Sequence, residues 1–201
     1  MKTEKQIGAK PIGIIGILAG KLMNTFHKKQ YYKIVVEIKK TTMTKVNKIL
    51  DIGCGGGIAI KEFSRIFPEA IIFGIDHSEE MVKLSSRNNT RKLKEDKIVI
   101  QNNSVENISI KSNTIDIVTA FDTISFWDNH KKAIEEIKRV LKIKGVFYII
   151  NGYPKIGTKW YDIVKFKNDN EYKQFLTNNG FSVIDIAIQK KTIIIKSEVV
   201  K

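Results

Sequence analysis

The chain carries at residues 49–57 the stretch Ile49-Leu50-Asp51-Ile52-Gly53-Cys54-Gly55-Gly56-Gly57, which lies between a predicted strand and a predicted helix. Glycines at the carboxyl end of a strand let the backbone turn sharply and let a ligand lie against bare main chain. A dinucleotide-binding fingerprint would need glycine at positions 53, 55 and 58, but position 58 is Ile58. Asp51 would repel a pyrophosphate and attract an ammonium group. The stretch therefore indicates a cationic ligand that bears an amino acid, rather than NAD.

Strand-like and helical segments alternate outward from this stretch. Five strand-like segments separated by helical or loop-forming segments predict a parallel sheet that is covered on both faces. The last two strand-like segments are joined only by a connection of hairpin length, which predicts an antiparallel hairpin at the sheet edge. The predicted strands are 48–53, 70–76, 97–102, 114–121, 144–151, 181–188 and 191–198. The predicted helices of this part of the chain are 57–67, 78–90, 130–142 and 168–179.

Further motifs follow the glycine-rich stretch in a fixed order. Asp76 ends the apolar run 71–76 and lies 23 residues after Gly53. The later motifs are Asn103–Ile108, Asp116–Phe121, Ala133–Lys142 with Gly145, and Phe175–Phe181. In this order and spacing the motifs resemble those of the class I S-adenosylmethionine-dependent methyltransferases, over nearly the whole chain. The resemblance implies an α/β fold, a Rossmann-like doubly wound sheet of seven strands in the order 3-2-1-4-5-7-6 with strand 7 antiparallel.

The resemblance also implies a cofactor and its binding residues. S-adenosyl-L-methionine would bind as methyl donor and leave as S-adenosyl-L-homocysteine. Asp76 would accept hydrogen bonds from both ribose hydroxyls, and residues 77–81 would flank the adenine. The family often has an acid where this chain has Ser104, which can still accept one hydrogen bond. The implied cofactor-binding residues are Asp51, Gly53, Cys54, Gly55, Asp76, His77, Met81, Ser104, Val105, Ala120 and Phe121.

Composition narrows the classes of protein that remain. The chain has 201 residues, of which 42% are hydrophobic, as expected for one globular domain. Its single cysteine, Cys54, excludes an intramolecular disulfide and a cysteine-cluster zinc site, and predicts a cytoplasmic location. Cys54 is interpreted as a buried spacer rather than a nucleophile. With only three histidines in addition, no metal site is predicted.

The net charge of +14 is concentrated near the start of the chain, where residues 1–48 hold 11 lysines and two glutamates. Helical patterns at 12–20 and 29–46 predict an N-terminal helical arm over residues 1–47, ahead of a methyltransferase domain over 48–201. The apolar run at 12–20 is too short to span a bilayer, so no membrane span is predicted. The arm resembles the leader of small microbial methyltransferases and is expected to act as a lid, with simple packing on the sheet as the alternative.

The acceptor side is predicted from aromatic residues near the ends of the fourth and fifth strands. They are expected to line a small, partly apolar cavity, which favours a small-molecule acceptor. These residues are Phe121, Phe126, Trp127, Tyr153, Trp160 and Tyr161. Trp127 is expected to face the cleft near the transferable methyl; alternatively, it anchors the 123–129 loop on the following helix. The candidate bases, which form no recognisable constellation and leave the catalytic residue unassigned, are His27, Asp122, Asp128, His130 and Tyr153.

Three functional hypotheses follow. The first is a small-molecule methyltransferase, the second an enzyme that methylates RNA or another macromolecule through its basic arm, and the third a cofactor-binding protein without catalysis. Cytosine-5 DNA methyltransferases need a nucleophilic cysteine after the fourth strand, and residues 121–125 contain none. The Asn/Asp-Pro-Pro-aromatic tetrad that amino-methylating enzymes carry at the same place is also missing. The sequence leaves the oligomeric state open.

Overall fold

The computed structural model describes residues 28–42 and 44–200, and the predicted helix at 12–20 lies outside them. By its internal contacts the chain forms two compact units, one ending at Ser104 and the other beginning at Val105. The first unit contains α1 (28–41), β1 (Lys48–Ile52), α2 (Ile58–Ile66), β2 (Ile71–Asp76), α3 (Glu79–Asn88), α4 (Thr90–Lys94) and β3 (Ile98–Asn102). The second contains β4 (Ile115–Phe121), a 3-10 helix (Ile124–Phe126), α5 (His130–Val140), β5 (Leu141–Gly152), α6 (Lys159–Ile163), α7 (Asp169–Asn178), β6 (Phe181–Gln189) and β7 (Thr192–Val199).

The strands follow the order β3-β2-β1-β4-β5-β7-β6, which confirms the predicted sheet. In the first unit β1, β2 and β3 are parallel, with Asp51 opposite Gly74 and Asp76 opposite Asn102. The carboxyl ends of these strands therefore lie at one edge, where parallel sheets bind ligands.

In the second unit β4 and β5 are parallel, and β7 is antiparallel to both β5 and β6. Gln189 pairs with Thr192, so β6 and β7 are joined by a turn of two residues, and Lys190 there has a φ of 58°. A two-residue hairpin turn favours such a left-handed backbone because it matches the twist of the strands. The predicted antiparallel hairpin is confirmed.

The main departure from the predicted boundaries lies between α5 and β5. The helix ends at Val140 and the strand begins at Leu141, whereas the sequence predicts a helix to 142 and a strand from 144. Leu141 pairs with Ile115, and the register then shifts before Val146 pairs with Ile117. Residues 142–145 therefore form an irregularity inside the strand, with Lys144 at a φ of 63°, because Leu141 before them already pairs with β4.

Helix α1 ends at residue 41, before the end of the predicted helix 29–46. The hydroxyls of Thr41 and Thr42 donate to the carbonyl of Ile38, which satisfies the last turn and ends the helix. Its buried face includes Ile38, whereas Tyr32 is 41% exposed and lies beneath the guanidinium of Arg65 on α2. The two short helices α4 and α6 were not predicted, because segments of five residues carry too little periodicity.

Candidate functional site

The glycine-rich stretch forms a tight loop between β1 and α2. Gly53, Gly55 and Gly57 have φ values of 65°, 50° and 78°, a left-handed conformation that other residues adopt only at a cost. The backbone N–H of Cys54 donates to the carbonyl of Ile75 at 3.0 Å, which fastens the loop to the end of β2. The spacing of the glycines in the sequence therefore reflects the backbone geometry of this loop.

Gly55 and Gly57 differ in what surrounds them. A Cβ built on Gly55 would have no atom within 4 Å, whereas one on Gly57 would lie 2.2 Å from Oγ of Ser85 and 2.6 Å from Nδ2 of Asn89. Gly57 therefore lets α3 approach the loop closely. Gly55 instead leaves space beside the main chain, in which a ligand could lie.

Asp76 ends β2 and is only 6% exposed. One carboxylate oxygen accepts the N–H of Gly55 and the other accepts the N–H of Ser78, each at 2.9 Å. Burial raises the pKa of the Asp76 carboxyl, and the bonds from Ser78 and Gly55 oppose that rise. Each oxygen has a second lone pair, so this carboxylate has the capacity to accept a pair of ligand hydroxyls as well.

Cys54 is buried within the loop, as predicted. Burial raises the pKa of its thiol well above the usual range, and the charges of Asp76 and Asp51 raise it further. The burial of Cys54 is therefore confirmed, and its raised pKa favours the spacer interpretation over a nucleophile, which stays a prediction. Asp51 is itself buried near the carboxyl end of β1.

The start of α3 lies beside Asp76. Ser78 caps the helix by accepting the N–H of Met81, whose side chain is buried. His77 is exposed, with its Nδ1 3.9 Å from an Asp76 oxygen. The predicted contact of His77 and Met81 with an adenine ring stays a prediction.

Two residues that hold the loop were missed by the sequence analysis. At the end of α3, the amide of Asn88 donates to the carbonyl of Gly56 at 2.8 Å, and the amide of Asn89 donates to that of Gly57 at 3.2 Å. Consecutive asparagines at a predicted helix end were the available signal. In the sequence they look like an ordinary helix end, because a local pattern does not indicate partners that lie 32 residues away in the chain.

The segment after β3 is fastened to the same strand end. The amide of Asn102 and the backbone N–H of Asn103 both donate to the carbonyl of Asp76 at 3.0 Å. Ser104, which was predicted to contact the adenine, follows directly and is half-buried. The structure thus gathers Asp76, the glycine loop, the start of α3 and the segment up to Ser104 within the first unit.

The other predicted cofactor residues belong to the second unit. Val105 is its first residue, and Ala120 and Phe121 end β4; all three side chains are buried. Their predicted role stays a prediction.

Asp122 follows β4 with a φ of 54°, which is uncommon for a residue other than glycine. Its N–H donates to the carbonyl of Ile150 at 2.8 Å, and its carboxylate accepts the N–H of Gly152 at 2.7 Å. The ends of β4 and β5 are therefore tied together through one acidic residue.

Three residues of the predicted aromatic wall fall into two separate groups. Phe126 and Trp160, both half-buried, have ring centroids 6.3 Å apart, and the indole N–H of Trp160 donates to the carbonyl of Gly152. Trp127 is instead 8% exposed and packs 5.9 Å from the ring of His130 on α5. This contact matches the anchoring alternative for Trp127.

His130 begins α5 as predicted and lies inside a cluster of rings. Its Nε2 is 2.8 Å from the carbonyl of Ile124, and its ring is edge-on to Phe166 and Phe175.

Near the end of β5, the amide of Asn151 donates to the hydroxyl of Tyr172 at 2.7 Å, and both side chains are fully buried. Burial raises the pKa of the Tyr172 phenol, so this pair remains neutral.

The described residues contain neither a candidate metal cluster nor a candidate membrane span. Within 28–42 and 44–200, no three histidine, cysteine, aspartate or glutamate side chains are grouped so that they could hold a metal ion. None of the helices in these ranges has the length and apolar character needed to cross a bilayer.

Comparisons with known proteins point to one family. The family described as "Methyltransferase domain" matches residues 50–149. The uncharacterized methyltransferase YcgJ of Bacillus subtilis is 30% identical over 116 residues, which cover 58% of this chain and 45% of that protein. The ubiquinone biosynthesis O-methyltransferase of Bartonella tribocorum is 24% identical over 158 residues, covering 69% of this chain and 61% of that protein. The chain therefore spans 45 to 61% of the lengths of these two relatives.

The fold is also found among solved structures. The crystal structure of a SAM-dependent methyltransferase from Aquifex aeolicus superposes with a TM-score of 0.80 at 20% sequence identity. The superposition covers 92% of this chain and 98% of that one. At this identity the likeness concerns the fold.

Proposed function

This chain belongs to the class I S-adenosylmethionine-dependent methyltransferases, and from that premise we propose that it transfers a methyl group from S-adenosylmethionine to a small-molecule acceptor. The observation that carries the proposal is the arrangement of Asp76 and Gly55. A buried carboxylate lies at the end of β2 beside a glycine that leaves open space along the main chain.

The residues of the first unit fit the donor chemically. Asp76 would accept the ribose hydroxyls, and the loop glycines would let the amino-acid part lie against the backbone. Asp51 would attract its ammonium group. When bound, S-adenosylmethionine supplies an electrophilic methyl carried by a sulfonium. Asp51, Asp76 and the loop would hold and orient it; we propose the same binding role for the other cofactor residues predicted from the sequence.

A small acceptor is supported by the second unit and by one relative. Phe126 and Trp160 offer half-buried rings after β4 and β5, a setting typical of partly apolar small-molecule sites. The name of the Bartonella relative describes an O-methyltransferase of ubiquinone biosynthesis, which acts in the formation of a small molecule.

One observation favours a macromolecular acceptor instead, namely the 11 lysines against two glutamates in residues 1–48. Binding to RNA through such a segment would weaken steeply as salt concentration rises. Salt-independent methylation of a small molecule would exclude this candidate. A protein that binds S-adenosylmethionine but transfers no methyl group to any acceptor would match the third hypothesis.

The role of the N-terminal arm also belongs to this proposal. We propose that residues 1–47 cover the methyltransferase domain of residues 48–201 as a lid, since the methyl donor needs a site closed to water. The cytoplasmic location predicted from the single cysteine stays a prediction.

Calorimetry with S-adenosylhomocysteine tests the donor site. We expect binding of this ligand and none of NAD, and Asp76→Ala should weaken the binding by about 1.5–3 kcal/mol, the scale of hydrogen bonds to a charged group. The control is Glu79→Ala, which removes a carboxylate from the same strand–helix junction where it is exposed and paired with Lys83. Equal affinity of a folded Asp76→Ala protein and the wild type would contradict the proposed site.

A further inference from the structure

Asp122 adopts a strained backbone at the end of β4. Its left-handed φ of 54° persists because two hydrogen bonds to β5 hold it, one from its own N–H to Ile150 and one from Gly152 to its carboxylate. Aspartate tolerates this conformation better than most residues, and strain of this kind concentrates at ligand-binding positions. The strained backbone fixes where the carboxylate lies.

Gly152 joins this carboxylate to the aromatic pair. Its N–H donates to Asp122, and its carbonyl accepts the indole N–H of Trp160 at 2.8 Å. A Cβ on Gly152 would lie 3.1 Å from the indole nitrogen, so glycine lets the Trp160 ring approach this closely. Phe126 completes the group from the 3-10 helix. The half-buried Asp122 carboxylate and the half-buried Trp160 ring are therefore both held by Gly152, and the Phe126 ring lies next to Trp160.

The other acidic or basic candidates are placed less favourably. Asp128 is exposed, and the ring of His130 is enclosed by Phe166 and Phe175 with its Nε2 against a backbone carbonyl. Asp122, in contrast, directly follows β4 and bonds to Gly152, the residue that also bonds to Trp160.

We propose that Asp122, Phe126 and Trp160 bind the methyl acceptor, with the Asp122 carboxylate accepting a hydrogen bond from the acceptor's hydroxyl or amine. The rings select a planar molecule by stacking. The negative charge selects a donor group and repels a carboxylate, so the acceptor is a phenol or an aromatic amine and not an aromatic acid. This assignment rests on the proposed function and names the substrate class of the same enzyme.

Three aromatic compounds that differ only in their polar group test the assignment. They are 4-methylphenol, 4-methylaniline and 4-methylbenzoate, measured by saturation-transfer NMR on protein saturated with S-adenosylhomocysteine. We expect the phenol and the aniline to bind, and the benzoate to bind about tenfold more weakly or not at all. In Asp122→Asn the difference should shrink to about threefold or less, because the charge is gone.

Asp122→Asn is expected to fold, since asparagine tolerates a left-handed backbone and keeps an oxygen for the N–H of Gly152. Asp128→Asn is the matched control, because it removes the same charge from an exposed position. The inference is overturned if benzoate binds as well as phenol, if none of the three compounds binds, or if both variants change the preference equally. Calorimetry on the same samples separates the two proposals: failure to bind S-adenosylhomocysteine refutes the proposed function itself, whereas normal binding without the aromatic preference refutes only this inference.

Discussion

Two strands of this molecule are each followed or ended by an aspartate whose carboxylate accepts backbone N–H groups, but the surroundings of the two carboxylates differ. At the end of β2 in the first unit, the Asp76 carboxylate accepts backbone N–H groups from Gly55 and Ser78. At the end of β4 in the second unit, the Asp122 carboxylate accepts the backbone N–H of Gly152. Each carboxylate is thus held in place by hydrogen bonds from the main chain.

The surroundings of the two carboxylates differ. Asp76 lies beside a loop of glycines, and the space next to Gly55 is open. Asp122 instead shares its partner Gly152 with Trp160, whose ring lies 6.3 Å from that of Phe126. A main-chain site accepts one invariant ligand shape with few side chains involved, whereas a side-chain site can be altered by substitution. This is the division expected between a shared methyl donor and a variable acceptor.

The largest expected effect concerns the packing of the second unit. Trp127→Ala should reduce the free energy of unfolding by about 3–5 kcal/mol, because a nearly buried indole is removed from its contact with His130. Urea denaturation measures this loss. The control is Trp160→Ala, which should cost less because its ring is only half-buried. A smaller loss for Trp127→Ala than for Trp160→Ala would contradict the anchoring of the 123–129 loop by Trp127.

The difference between a main-chain loop and a group of distant side chains also explains which parts of the two units could be predicted from the sequence. In the first unit the positions of Asp51 and Asp76 near strand ends and the glycine loop at Gly53 and Gly55 were predicted, because the loop is a local motif whose backbone conformation requires glycine. Their role in binding stays a prediction. Strand order followed from the alternation of strands and helices together with the family resemblance.

The second unit was predicted less completely, because its contacts join residues far apart in the chain. Asp122 and Gly152 are separated by 30 positions, and no local pattern indicates that they meet. Aromatic residues close in sequence were assigned to one wall, yet Trp127 and Phe126 belong to different groups. Which side of a loop a ring occupies depends on tertiary packing, which periodicity does not encode.

The second-largest expected effect is a loss of stability at Gly57, which tests the difference between Gly57 and Gly55 in the glycine loop of the first unit. Gly57→Ala should destabilise the protein by about 2–4 kcal/mol, because its left-handed backbone disfavours a Cβ and that Cβ would lie 2.2 Å from Oγ of Ser85. Thermal and urea unfolding measure the loss. Adding Ser85→Ala should recover part of it, since the nearest atom is then removed. No recovery in the double variant would show that backbone strain alone is responsible.

The smallest expected effect on stability is that of Gly55→Ala. No atom lies within 4 Å of the added methyl, so only the left-handed backbone is strained, at about 1 kcal/mol. The effect of Gly55→Ala on ligand affinity should instead be large. The methyl projects into the space assigned to the ligand, and affinity for S-adenosylhomocysteine should fall about tenfold or more, as when a well-packed contact is overfilled.

Gly157→Ala provides the matched control for this prediction. Gly157 also has a positive φ, of 80°, and no atom within 4 Å of a built Cβ, but it lies in the exposed loop between β5 and α6. Both variants should therefore lose a similar, small amount of stability in urea, because both carry the same kind of strain. Calorimetry should then show reduced affinity for S-adenosylhomocysteine in Gly55→Ala alone. If the two variants bind this ligand equally well, the open space beside Gly55 is not the ligand site, and the contrast between the two strand ends loses its functional meaning.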